Sequence, residues 1–204
     1  MRSHTGWQKW GALCFSLGGL QYLLAEKLSA LSWVNPRYSY SQNYISDLGI
    51  PFRSPLHNLM NSGFAIEGVL FFIACWLLRH NFNGIGRVVF IATGLIHAVG
   101  GVMIALFHSG GETTGLTLHQ VGAVMAIAGG NLCLITVGCV MCFNAGFRRY
   151  GALSLILGCL GLLCMVTLTY NIFPIGIIER ASVYPITLWQ ILTGLGLLIN
   201  SRRA

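Results

Sequence analysis

Six runs of about 20 mostly apolar residues, the length that crosses a bilayer as an α-helix, leave this chain little choice of fold. They cover Trp10–Trp33, Leu56–Leu78, Val88–Phe107, Leu118–Phe143, Tyr150–Phe173 and Ser182–Ile199. Only 8% of the 204 residues are charged against 55% hydrophobic, and the mean hydropathy is +0.71. A soluble domain carries roughly a quarter charged residues, so lipid must be the solvent for much of this surface. A segment alone in lipid satisfies its backbone hydrogen bonds as a helix, and barrel-type alternation over ~10-residue strands is missing. The expected fold is all-α: a single integral membrane domain over residues 1–204 with six transmembrane helices.

Charge sets the expected orientation. Eight of the twelve Lys and Arg (Arg2, Lys9, Arg79, Arg87, Arg148, Arg149, Arg202 and Arg203) fall on one side of this arrangement. Lys27, Arg37, Arg53 and Arg180 fall on the other. The positive-inside rule then places both termini in the cytoplasm. The net charge of +7 is spread over these short clusters, with no basic helix face for nucleic acid. Arg2 and Lys9 before an apolar run, with Ala30-Leu31-Ser32 after it, also fit a signal peptide; we read the segment as a retained first span.

Lys9-Trp10-Gly11-Ala12-Leu13 resembles Arg149-Tyr150-Gly151-Ala152-Leu153, and Gly86-Arg87 opens a similar segment. Three stacked helical hairpins would explain this, as would convergent glycine-rich packing. Gly94–Ala98, Gly122–Ala126 and Ala126–Gly130 have the small-residue spacing that lets membrane helices approach closely. All seven cysteines lie in apolar runs, so we read them, Cys139-x-x-Cys142 included, as packing residues.

The polar exceptions carry the functional expectations. Glu67 lies eleven residues into the second run and His97 ten before the end of the third. At about 1.5 Å per residue both sit roughly 15–17 Å deep, where an isolated charge is costly. A contact between them fits either a proton site or catalytic base, or a buried hydrogen-bonded pair. At the outer side lies the one long polar stretch, Tyr38 to Asn61, with Ser46, Asp47, Arg53, His57 and Asn58. His108, Glu112 and His119 flank the second outer loop and Glu179-Arg180 the third, while all five prolines are expected at outer helix ends.

No HExxH or other compact ligand spacing argues for a metal, and no cofactor is expected. Ser46-Asp47 with His57 or His119 contains the residue types of a hydrolytic triad, but no GxSxG is present. Ser/Asp pairs in loops more commonly cap turns.

NYISDLG at Asn43–Gly49, Pro55, Asn58, His119 and Glu179-Arg180 with Trp189 downstream resemble the prokaryotic membrane family called domain of unknown function 998. A fainter similarity is to the family of fibroblast-growth-factor-receptor-activating protein, the autophagy modulator DRAM and GPI-anchor lipid-remodelling factors, which carry an ISD-type loop. His57 stands where the family would have an apolar residue. The resemblance implies six membrane helices in a prokaryotic inner membrane, and lipid remodelling by analogy.

The leading expectation is an outer-leaflet mouth that binds a lipid or isoprenoid-like amphiphile, with hydrolysis or transfer as the associated chemistry. Asp47 and His119 are its acid–base candidates. Arg53 and Arg180 would hold an anionic headgroup, with Ser46, Asn58 and Glu179 beside them. A small proton-coupled transporter using Glu67 and His97 is the second expectation, and a non-catalytic accessory protein the third. The expected partners are membrane lipid and a membrane protein or second copy, and no nucleic acid.

Overall fold

The computed structural model describes residues 2–109, 116–170 and 172–201, with side chains from residue 6 to residue 200. Glu112, Arg202 and Arg203 lie outside the described residues. Among the described residues six α-helices follow one another: α1 (Arg2–Ser32), α2 (His57–Leu78), α3 (Gly84–Leu106), α4 (Leu118–Cys142), α5 (Arg148–Thr167) and α6 (Ile175–Ser201). No strand occurs among the described residues. Five helices, α2 to α6, are long and apolar enough to cross a membrane. The first has the length, 31 residues, but carries Gln21, Glu26 and Lys27 in its second half. The chain is a polytopic helical membrane protein. Large apolar side chains on its outside, such as Leu163 at 62% exposure and Ile156 at 63%, need lipid to cover them.

Each helix packs antiparallel on its sequence neighbours, and α6 returns to pack on α1. The three hairpins α1–α2, α3–α4 and α5–α6 thus form a closed ring. The α1–α2, α3–α4 and α5–α6 connections share one end, here the loop end; the α2–α3 and α4–α5 turns share the other, here the turn end.

Small residues set the tightest seam. A Cβ built on Gly100 would lie 2.3 Å from Ala126 N, and one on Gly129 2.6 Å from His97 N. The backbones of α3 and α4 are therefore in contact, as small-residue packing allows. One core cluster, with Phe15, Phe71, Phe90, Leu134 and Trp189, fills the turn-end half. A second, with Tyr22, Trp33, Tyr38, Leu48, Met60 and Phe64, fills the loop-end half.

Two boundaries differ from expectation. Helix α6 begins at Ile175, seven residues before the apolar run, so Glu179 and Arg180 are helical rather than in a loop. Pro174 precedes it, and proline favours a helix start because a first-turn N–H has no intrahelical partner. Pro185, expected at a helix end, lies inside α6. A proline there frees the carbonyl four residues back and loosens the turn. The nearby Ser182 carbonyl accepts from Asn131 Nδ2 of α4 at 2.9 Å, so the neighbouring helix holds this loosened turn.

Candidate functional site

The loop end is built around Arg180. Its guanidinium reaches Glu26 of α1 (Nε–Oε1 3.1 Å, Nη2–Oε1 3.0 Å). The remaining donors go to the carbonyls of Tyr40 (2.8 Å), Asn43 (3.2 Å) and Gly176 (2.9 Å), and to the Tyr38 hydroxyl. The ring of Tyr40 lies 4.7 Å from the guanidinium carbon. Glu26 also accepts from Tyr184 at 3.1 Å on both oxygens. A buried carboxylate and a buried cation are each costly alone, and here every charge is matched. The loop backbone reaches this close because position 176 is glycine: a Cβ there would lie 2.5 Å from the carbonyl oxygens of Tyr40 and Asn43. Tyr38 donates to Tyr44 O at 2.8 Å, and burial pushes its phenol well above the usual tyrosine range.

Glu179, one residue earlier, accepts from the backbone N–H of Ile45. This fixes the turn Ser46–Gly49, in which Asp47 Oδ2 accepts from Tyr44 N at 3.0 Å. Asn61 of α2 closes the turn from the other side, donating to Gly49 O at 3.0 Å. The Asn43–Gly49 segment is thus a rigid platform pinned by α6 and α2.

Beside this platform lies a cavity of about 770 Å³. Its polar wall carries Ser46, Asp47, Arg53, His119 and Glu179; its apolar wall carries Leu106, Phe107, Ala123, Ile127 and Leu168. His119 is placed by a capping box at the start of α4, where Thr117 Oγ1 accepts from Gln120 N at 3.2 Å and Gln120 Oε1 from Thr117 N at 2.9 Å. His119 Nδ1 is 2.8 Å from Phe107 O. A carbonyl only accepts, so Nδ1 carries the proton and Nε2 of the neutral ring is free to accept. Asp47 is near enough for its charge to act on this ring. Tyr44, on the same wall, is an exposed phenol raised above its ordinary value first by burial of part of its ring.

Five of the expected site residues therefore meet at one cavity: Ser46, Asp47, Arg53, His119 and Glu179. Arg53 is exposed and has no side-chain partner among the described residues. Arg180 is not on the cavity wall but inside the clamp behind it. Asn58 is exposed on the first turn of α2, away from the cavity lining. His57 turns to the Ser54 carbonyl (3.0 Å). No hydrogen bond joins Ser46 to a histidine among the described residues. No group of three or more His, Cys, Asp or Glu is placed to hold a metal ion among the described residues.

A second polar centre lies in mid-bundle. His97 Nε2 is 2.9 and 3.1 Å from the two oxygens of Glu67, and Nδ1 is 2.7 Å from Ala126 O. Gln190 of α6 donates to Glu67 Oε1 at 2.7 Å. Four helices, α2, α3, α4 and α6, supply one partner each. Both ionisable groups are about 95% buried, and Gly130 leaves room for the imidazole, since a Cβ there would lie 2.9 Å from Nδ1.

Gln190 and the Glu26–Arg180 pairing escaped the sequence reading. Gln190 was findable, because a lone amide in an apolar helix needs a buried partner. The Glu26–Arg180 pair was not, because it depends on which distant helices become neighbours.

The chain matches the family described as "Protein of unknown function (DUF998)" over residues 10–196 and belongs to it. No curated protein and no solved structure matches it.

Proposed function

We propose that the loop-end cavity binds an anionic amphiphile, a lipid or isoprenoid-like molecule, from the extracytoplasmic leaflet of a prokaryotic inner membrane. The observation that carries this reading is the division of one cavity into an apolar wall and a polar wall. Such a division suits a molecule with an apolar tail and a polar head. Arg53, which has no side-chain partner among the described residues, takes the anionic head at the rim. Asp47 Oδ1 and His119 Nε2 take its hydroxyl or protonated groups. Ile127 and Leu168 face the chain. The unequal distribution of Lys and Arg supports the orientation. Binding rather than hydrolysis is the reading favoured, because no serine or threonine hydroxyl at the cavity is bonded to a histidine or carboxylate among the described residues.

Native mass spectrometry of the protein released from nanodiscs of phosphatidylglycerol and phosphatidylcholine tests this. Arg53→Gln is expected to lower retention of the anionic lipid about tenfold, the value of one charge-assisted hydrogen bond. Ile127→Trp, which fills the apolar wall, is expected to lower retention of both lipids. Unchanged retention in both variants would remove the reading.

A further inference from the structure

Two cavities among the described residues, one at each end of the ring, share no lining residue. The second, of about 420 Å³, lies at the turn end, with Phe15, Phe90, Val137 and Trp189 at its inner surface and Asn81 and Asn200 at its rim. Buried side chains of the two core clusters lie between them. Ile127 floors the loop-end cavity one residue beyond Ala126, whose carbonyl holds His97. On the other side, the Phe71 ring lies 4.4 Å from the His97 ring, Phe15 lies 5.1 Å from Phe71, and Trp189 lies 5.5 Å from Phe15. Phe15 and Trp189 are already wall of the second cavity. The Glu67–His97 pair therefore stands in the partition.

Hydrogen-bond inventory limits what this pair can hold. Ala126 O only accepts, so His97 Nδ1 is always protonated there. The Gln190 amide donates to Glu67 and cannot take a proton from it. One proton therefore remains to be shared between Nε2 and the carboxylate. With it the pair is neutral overall. Without it the imidazole lone pair faces a carboxylate in a dry site, and two acceptors repel where a charge-assisted bond stood.

We propose that the Glu67–His97 dyad is a one-proton binding site in the partition between the two cavities, and that losing this proton loosens the partition. The proton leaves Nε2 for water. The imidazole stays neutral with Nδ1–H bonded to Ala126, Glu67 keeps its charge, and the pair goes from net zero to minus one. The bond that ties α3 to α2 is then lost beside Phe71. By linkage, whatever holds the partition open also disfavours the proton. The groups facing the dyad are few. From α1 comes Tyr22, within electrostatic range of Glu67. Cys75 of α2 also feels Glu67 and lies 3.9 Å from Cys133 of α4, sulfur to sulfur. From α6 comes the uncharged Gln190 and from α3 Thr93, whose hydroxyl is bonded to its own helix. Among the described residues no Lys or Arg pairs with either member, and α5 contributes no partner.

The site goes beyond the amphiphile reading and does not depend on it, so the test uses no lipid ligand. The full chain, labelled with 15N-histidine in nanodiscs, is titrated over roughly pH 5–10, where histidine and perturbed carboxylates titrate. His97 is assigned by its loss in His97→Gln. In parallel, peptide-resolved alkylation by N-ethylmaleimide follows Cys75 and Cys133, both fully buried on the second-cavity side, against N-acetylcysteine in the same buffer as the free-thiol reference. The expected result is a single protonation step at His97, with Cys75 and Cys133 labelling at least about fivefold above the free-thiol trend over the same step. Glu67→Gln, whose amide donates to Nε2 and has no proton to lose, is expected to abolish both changes. A His97 that keeps one protonation state throughout, or thiols that follow the free-thiol trend at every pH, would make the dyad a static clamp. The wild-type titration decides this by itself if the variant does not assemble.

Discussion

Glu26–Arg180 and Glu67–His97 are both buried acid–base pairs between helices, yet they treat charge in opposite ways. Arg180 cannot lose its proton in a protein, so its positive charge is permanent and its five donors must all be answered. They are answered by Glu26, a tyrosine hydroxyl and three backbone carbonyls. This consumes the cation and fixes the Tyr38–Gly49 loop. His97 offers only two donors, one of them held by a carbonyl, and its charge can disappear with one proton. A guanidinium builds; an imidazole keeps a choice open.

The largest expected effect comes from removing the permanent cation. Arg180→Leu leaves Glu26 buried without its partner and three carbonyls without a donor, and is expected to cost about 3–5 kcal/mol. Thermal unfolding in detergent, with protease sensitivity of the Tyr38–Gly49 segment, measures it. A variant as stable as wild type would erase the contrast between the two pairs.

A smaller loss is expected at mid-bundle. Glu67→Gln lets His97 become neutral and still accept a hydrogen bond at Nε2, so the cost is about 1–3 kcal/mol, that of one weakened buried bond. If it equalled Arg180→Leu in the same unfolding assay, the dyad would be as rigid in charge as the clamp.

The smallest effect sharpens the loop end. Because burial raises the Tyr38 phenol in the folded protein, the stability it confers is fully present below the unfolded value near pH 10 and is lost as pH rises through the folded one. Tyr38→Phe removes the bonds to Arg180 and Tyr44 O and is expected to cost about 1–2 kcal/mol at neutral pH. It is also expected to flatten the alkaline fall in unfolding temperature. An unchanged alkaline slope would assign that fall to other tyrosines.

What could be read beforehand follows the same division. Helical rise is fixed, so the spacing of Glu67 and His97 alone puts them at one level, and small-residue spacing marks the α3–α4 seam. Ser46, Asp47, Arg53, His119 and Glu179 could be assigned to one end of the bundle because loops of the same parity share an end. The role of Arg180 was less accessible. A cation near a helix start reads as surface until α6 is known to start at Ile175 and to lie on α1. The position of Asn58 off the cavity lining was out of reach for a similar reason, since the rotation of α2 decides which face of its first turn meets the cavity.

Ring closure has a consequence for biogenesis. Glu26 enters the membrane with the first helix, but its counter-ion lies 154 residues further along, on the last. Domains assemble largely in the order of synthesis, so a nascent chain carries an unmatched carboxylate until α6 arrives. A chain that stalls or is cut short before Arg180 keeps that mark, and a membrane protease or insertase could tell unfinished copies from finished ones by a single uncompensated charge.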